Sequence, residues 1–385
     1  MGVLQKVRLL GQAAKFDNCA SSASSRKIVA KDRIGDAAAC GICHSFGPDG
    51  RCISLYKTLL TNVCTHDCKY CTNNPENKKE AQRATFSPDE LAKTFMSLYV
   101  KNYVEGLFLS SGVMKDPDHT TQNMIEAINL IRNKYKFKGY IHFKVLPGTS
   151  YELIKQASEF SDRMSVNLEA PNKSRLSEIS SVKDFKIDIL RRQRWVRGLI
   201  SKRTQSNQIL AAGQTTQVVV GGTDATDFEI LRMMDWEYKN MELKRGYYSA
   251  FIPVKGTPFE SKARASLHRE HRLFNIDFML RKYGMKLKEF MPVMSEGMLP
   301  RYDPKVALAH MTITEPVNVN KASYEELIRV PGIGPQSATR ITMYRKRKKQ
   351  ILNYEELHNL GVVLKRAKPF IKVGGKTQAS LKKWF

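Results

Sequence analysis

The chain has 385 residues and carries 63 lysines and arginines against 37 acids, a net charge of +26, with 42% hydrophobic and 26% charged residues. That hydrophobic content excludes a disordered polyelectrolyte, and no segment approaches the roughly 18 consecutive apolar residues of a membrane-spanning helix. The cationic excess favours phosphate-rich partners, either nucleic acid or an anionic membrane face, and charge alone does not separate DNA from RNA.

Residues 1–52 read as an irregular, cysteine-bearing leader. It opens on a short apolar run without a small-residue cleavage site, so no secretory signal is expected. The tract Ala20–Ser25 reads as loop and Gly47-Pro48-Asp49-Gly50 as a turn. All seven cysteines fall between positions 19 and 71. An odd number clustered in this way argues against a disulfide framework and for metal chemistry in a reducing cytoplasm. Cys40 and Cys43, with Cys52 and Cys19, form a candidate four-thiolate site for an auxiliary iron–sulfur cluster or zinc, with His44 as a substitute ligand. Reduced, half-buried thiols without metal are the alternative.

Ile53–Leu60 has the apolar character of a buried strand and runs directly into Cys64-Thr65-His66-Asp67-Cys68-Lys69-Tyr70-Cys71. Three thiolates at C-x3-C-x2-C spacing, with an aromatic residue before the third, suit three irons of a cubane [4Fe–4S] cluster and leave the fourth open to a small molecule. A zinc knuckle would want four ligands, usually as two C-x2-C pairs.

Strand-like and helical segments then alternate. Ser87-Pro88-Asp89-Glu90 is a capping box that opens a helix bearing Leu91, Phe95 and Leu98. Strands are expected at Gly106–Leu109, Tyr140–Leu146, Met164–Leu168, Val218–Val220 and Tyr248–Ile252. Helices are expected around Met124 to Ile131 and over Phe228–Tyr238. Six strands alternating with helices predict an α/β fold, a parallel sheet forming an incomplete barrel over residues 53–312. Polar or glycine-rich loops follow each strand, and in such folds the strand exits ring one mouth. The basic stretch Arg191–Arg197, with Trp195 embedded, reads either as a nucleic-acid track or as an ordinary amphipathic helix.

From residue 313 to 385 the composition changes. Tyr324–Ile328 and a segment from Gln336 to Tyr344 read as helices joined by Val330-Pro331-Gly332-Ile333-Gly334-Pro335. Glycines let such a turn approach a ligand, and its N–H groups beside a helix start suit one phosphate. A degenerate second copy follows at Asn353–Lys365, with one glycine in its turn. Residues 316–385 carry 15 lysines and arginines against 4 acids, including the run Arg345-Lys346-Arg347-Lys348-Lys349. The tail is expected to be a small all-α nucleic-acid-binding domain that positions without reading bases.

On its cysteine loop the chain resembles the radical SAM superfamily. The turn Pro331–Gly334 is similar to the helix–hairpin–helix family. The combination of leader, barrel and tail resembles radical SAM proteins assigned to DNA modification or repair. The resemblance implies a partial (β/α)6 barrel, a [4Fe–4S] cluster on Cys64, Cys68 and Cys71, and S-adenosylmethionine cleaved at the open iron to a 5′-deoxyadenosyl radical. By position it implies cofactor contacts from Tyr70 and from Ser110-Ser111-Gly112, which replaces the family's Gly-Gly-Glu turn and lacks its glutamate. It also implies a contact from Glu169 to the ribose and from Gly221 and Gly222 near the adenine. Pro331, Gly332, Ile333 and Gly334 with the Arg345–Lys349 run would contact duplex DNA. A flavodoxin or ferredoxin reductase would supply electrons, and no membrane is involved. Alternatives are an RNA- or tRNA-modifying radical SAM enzyme, or a non-enzymatic DNA-bound iron–sulfur redox sensor. Tyr247, Tyr248 and Cys52 are candidate hydrogen donors.

Overall fold

The computed structural model describes residues 1–14, 42–46, 52–77, 82–202, 210–347, 350–374 and 376–377, with backbone alone at 44–46, 52, 376 and 377. The chain folds as two compact units, Met1–Ala225 with Trp236–Leu267, and Thr226–Asp235 with His268–Phe385.

The first unit is built on a seven-stranded sheet. β1 (Ile42–Phe46) pairs antiparallel with β2 (Cys52–Leu59). Then β3 (Gly106–Ser110), β4 (Tyr140–Lys144), β5 (Arg163–Ser165), β6 (Gly213–Val220) and β7 (Arg245–Ala250) follow in sequence order, each parallel to the last. No pairing joins β7 back to β1 or β2, so the barrel is open. This is the expected α/β partial barrel, with six parallel strands among the described residues and one antiparallel strand added at its edge.

The crossover helices form where local signals agree. α2 (Pro88–Val100) starts with proline at its first turn and a reciprocal cap, in which Ser87 N–H donates to Glu90 Oε2 at 2.9 Å and Glu90 N–H to Ser87 Oγ at 3.2 Å. Its Leu91, Ala92 and Phe95 are fully buried. Burying each of the larger two contributes about 2 kcal/mol. α3 (Pro117–Asn129), α4 (Tyr151–Phe160), α5 (Lys173–Ile179), α6 (Arg191–Ser201) and α7 (Asp227–Asn240) complete the crossovers. The two-unit division falls within α7.

The leader is not wholly irregular. Val3–Ala13 form α1, which buries Leu10, and Lys6 pairs with Glu90 at 2.6 Å. Its N-cap Gly2 makes no side-chain cap, so no start signal marks it in the sequence. β1 takes its shape from pairing with β2. Cys19, Cys40, the serine tract and Gly47–Gly50 lie outside the described residues.

In the second unit, α8 (Leu267–Tyr283) and α9 (Pro304–Thr312) precede α10 (Tyr324–Arg329), α11 (Pro335–Lys346), α12 (Tyr354–Asn359) and α13 (Leu364–Ala367). Three short strands, β8 (Val317–Asn318), β9 (Ile371–Val373) and β10 (Lys376–Thr377), form a small sheet absent from the sequence reading. The core gathers Val319, Leu327, Ile333, Ile341, Ile351 and Leu357, each 0% exposed.

Candidate active site and nucleic-acid interface

Cys64, Cys68 and Cys71 line one pocket at the carboxyl ends of the strands, together with Tyr70, Ser110, Ser111, Gly112, Asn167, Glu169 and Lys183. The cysteine loop is laced to the turn after β3. Leu60 N–H donates to Ser110 O at 2.9 Å, Gly112 N–H to Thr61 O at 2.7 Å and Thr65 N–H to Val113 O at 2.8 Å. A Cβ on Gly112 would lie 2.5 Å from Val63 O, so only glycine permits this approach. A second brace comes from the loop after α5. Ser180 Oγ donates to Asp67 Oδ1 at 2.6 Å, Ser181 N–H to Oδ2 at 2.8 Å, and Lys69 N–H to Ile179 O at 2.9 Å. Burial opposes the Asp67 charge, but these serine donors hold its carboxyl down at about 2.

Two of the three sulfurs already accept backbone donors, Cys64 Sγ from Val113 N–H at 3.3 Å and Cys71 Sγ from Asn73 N–H at 3.4 Å. Such donors stabilise thiolate character and tune a cluster's potential. Burial, then neighbouring Cys68, pushes the Cys71 thiol up to about 12, and burial raises the Cys68 thiol too, so ionising these two sulfurs calls for a cationic partner. Among the described residues no three His, Cys, Asp or Glu side chains gather as ligands of a single ion. A cubane instead spreads its thiolates over different irons. Ser111 Oγ is buried in the same pocket without a hydrogen-bond partner, a polar atom left for a ligand. The residues therefore fit a [4Fe–4S] cluster with a small polar molecule beside it.

Glu169 is 6% exposed and sits in left-handed backbone at φ 64°, held by its own N–H to Gln217 O and by Val219 N–H to its carbonyl, both at 2.9 Å. Its carboxylate lies 3.8 Å from Lys183 Nζ. Burial works against the Lys183 ammonium, yet Cys68 and Glu169 keep its affinity for the proton above that of an ordinary lysine. Burial and then Glu169 raise the Tyr70 phenol well above its usual range. His66, in the same pocket, is lowered to about 4 by burial and Lys183. Lys183 was not found from the sequence, because no local pattern links it to a loop more than a hundred residues upstream.

Other expected residues lie apart from the cysteine pocket. Gly221, at φ 78°, and Gly222, whose carbonyl accepts from Lys262 Nζ at 2.8 Å, follow β6 but do not line it. Tyr247 and Tyr248 are buried in β7 and do not line it either. Cys52 opens β2, roughly 20 Å of strand rise from the cysteine loop, and Cys43 pairs opposite Leu55. In α6 Arg192 is built into the fold, donating to Thr149 O at 2.8 Å and Gly148 O at 2.6 Å, and Trp195 packs edge-on against Tyr151. Arg191, Arg194 and Arg197 are exposed.

In the second unit the turn between α10 and α11 has the expected shape. Gly332 has φ 84°, and a Cβ on it would lie 2.5 Å from Val363 O in the degenerate second hairpin. Val363 N–H donates to Gly332 O at 2.9 Å, so the two hairpins lock together through this glycine. α11 begins at Gly334 with no side-chain cap, unlike α10, whose Ser323 and Glu326 form a capping box. Its first N–H groups are those a phosphate would meet. Pro331 and Ile333 shape the turn, and Ile333 is 0% exposed. Arg345 is structural in part, donating to Ala322 O, whereas Lys346 and Arg347 are exposed. Lys348 and Lys349 lie outside the described residues. The sequence did not reveal Lys305 of α9, 6% exposed, whose Nζ donates to Ile333 O at 2.7 Å.

Residues 58–236 match the model of the radical SAM superfamily, and residues 313–363 match that of the helix–hairpin–helix motif. The chain thus carries a radical SAM domain followed by a helix–hairpin–helix motif. No curated protein matches the chain. Among solved structures, the [FeFe]-hydrogenase maturase HydG from Carboxydothermus hydrogenoformans is similar at 16% identity and TM-score 0.43, over 58% of this chain and 50% of that one. Methylornithine synthase is similar at 14% identity and TM-score 0.42, over 54% of this chain and 56% of that one. The cobalamin-dependent S-adenosylmethionine radical enzyme OxsB is similar at 11% identity and TM-score 0.32, over 79% of this chain and 51% of that one. The chain spans about half the length of each. No helix among its described residues is long and apolar enough to cross a membrane.

Proposed function

We propose that this radical SAM protein is an enzyme that uses a [4Fe–4S] cluster and S-adenosylmethionine to modify or repair a nucleotide of DNA. The observation that carries the reading is the convergence of Cys64, Cys68 and Cys71 on one pocket within the matched region, with backbone donors on two of the sulfurs. When bound there, the cluster supplies the electron that cleaves S-adenosylmethionine to a 5′-deoxyadenosyl radical.

The chain's own residues would bind, orient and shield. The lacing of Ser110–Val113 onto the cysteine loop fixes the loop's backbone, and Ser111 Oγ offers a hydrogen bond to the small molecule. No glutamate stands in that turn, so Ser111 and Glu169 are the polar groups offered to an amine and a ribose. Lys183 neutralises Glu169 and faces the sulfur of Cys68, keeping negative charge from accumulating beside three thiolates. In the tail, the start of α11 and the exposed Lys346 and Arg347 would grip phosphates. A base stacked within a duplex is out of reach, so the target nucleotide would be extruded or already unpaired. A flavodoxin- or ferredoxin-type reductase would supply electrons.

Two measurements test the reading. Anaerobic incubation with dithionite and S-adenosylmethionine should yield 5′-deoxyadenosine, and a redox sensor would yield none. In competition binding, duplex DNA should outcompete tRNA, and a clear preference for tRNA would transfer the substrate to RNA.

A further inference from the structure

The first hairpin opens onto a cavity of about 600 Å³, within the roughly 300–1,000 Å³ typical of small-ligand sites. A backbone phosphate alone needs only the N–H groups of the turn. This cavity offers more. It is lined by Phe278, Lys282 and Tyr283 from α8, Lys305 from α9, and Arg366 from the second hairpin, as well as by the turn itself.

Phe278 is 48% exposed, and its ring meets that of Tyr283 at 5.7 Å, inclined by 69°. Lys305 Nζ lies 4.6 Å over the Tyr283 ring while bonded to Ile333 O in the turn. Arg366 is oriented by Asp303, which also accepts the Lys305 and Val306 N–H groups at the start of α9. The cavity therefore combines a half-exposed aromatic face, the guanidinium of Arg366 and an uncapped helix start. An aromatic surface serves a base and the other two serve a phosphate, and both together match one nucleotide.

We propose that the cavity seats a single unpaired nucleotide of a DNA strand, its phosphate at the start of α11 beside Lys305 and Arg366 and its base against Phe278. The inference rests on the DNA reading above and deepens it, since the tail would then recognise an extruded or mispaired nucleotide and not duplex backbone alone.

The test uses the full-length protein and fluorescence anisotropy with two probes, a fully paired duplex and the same duplex carrying one unpaired nucleotide. The unpaired nucleotide should tighten binding about tenfold. Phe278→Ala should abolish that gain while leaving affinity for the paired duplex unchanged. Phe278→Leu, which keeps apolar bulk without a stacking face, should do the same, and unchanged melting of both variants would confirm that they fold. Equal binding of the two probes by the wild type, or a gain retained in both variants, overturns the cavity proposal and leaves the DNA reading standing. Failure to bind either DNA overturns both. A free deoxynucleoside monophosphate should compete weakly. Displacement of the oligonucleotide at comparable concentration would make this a mononucleotide site and refute the strand-bound form.

Discussion

The cysteine pocket and the hairpin turn reach their ligand groups by opposite routes. The first assembles side chains from several strand exits, so that Cys64, Ser111, Glu169 and Lys183 meet only when the sheet curls. The second presents backbone on a contiguous turn, Pro331–Gly334, and relies on glycine to bring that backbone close to the second hairpin. Side chains supply distinct chemical groups, as reaction chemistry requires. Backbone N–H groups are chemically uniform and suit a repetitive phosphate chain. Under the proposed function this difference divides the labour, with the first unit reacting and the second positioning.

If that division holds, damage to one region should leave the other intact. The largest effect is expected for Cys68→Ala, which should abolish bound iron and 5′-deoxyadenosine formation while changing DNA affinity less than about twofold. A parallel collapse of DNA binding would break the comparison. Next come the glycines. Gly332→Ala sets a Cβ 2.5 Å from Val363 O at φ 84°, and Gly112→Ala sets one 2.5 Å from Val63 O. Each should cost about 2 kcal/mol, read by chemical denaturation. Gly332→Ala should weaken DNA binding with iron retained, and Gly112→Ala should do the reverse.

Buried ionisable groups sharpen the contrast through pH. Glu237 in the first unit has both carboxyl oxygens buried without partners, and burial raises its carboxyl to about 8. The folded state then holds the proton more tightly, so stability falls as pH rises from the ordinary carboxylate value to about 8. Lys305 in the second unit is lowered from 10.5 to about 7 by burial and then by Arg366. There the unfolded state binds the proton more tightly, and stability rises with pH from about 7 toward 10.5. Denaturation across this range should lose the first slope in Glu237→Gln and the second in Lys305→Met. The smallest effect belongs to the exposed pair. Neutralising Lys346 and Arg347 to glutamine should reduce the salt slope of DNA binding by about two.

The parallel strands were legible in the sequence because apolar runs such as Ile53–Leu60 alternate with helices that carry their own start signals, as Ser87–Glu90 does. The apolar pattern predicts β6 only at Val218–Val220, yet the strand spans Gly213–Val220, because its first half is polar and still buried. Gln214 Nε2 donates to Met241 O at 2.6 Å and Thr216 Oγ1 to Val166 O at 2.7 Å. Hydrogen bonds between elements, absent from any local pattern, make that burial tolerable. The antiparallel β1 escaped notice for a related reason, since its strand character depends on pairing with β2. The cysteine triplet and the glycine turn were visible because each is local. Lys183 and Lys305 were not, because the fold alone brings each to its site.

A cluster on Cys64, Cys68 and Cys71 with an iron open to S-adenosylmethionine is tested most directly by electron paramagnetic resonance of the anaerobically reconstituted, reduced protein before and after adding that compound. A [4Fe–4S]⁺ signal that changes on addition, and that is lost when Cys64, Cys68 and Cys71 are replaced by alanine, is the predicted result. A protein that assembles no such centre, or whose signal is unaltered by the sulfonium compound, would contradict it.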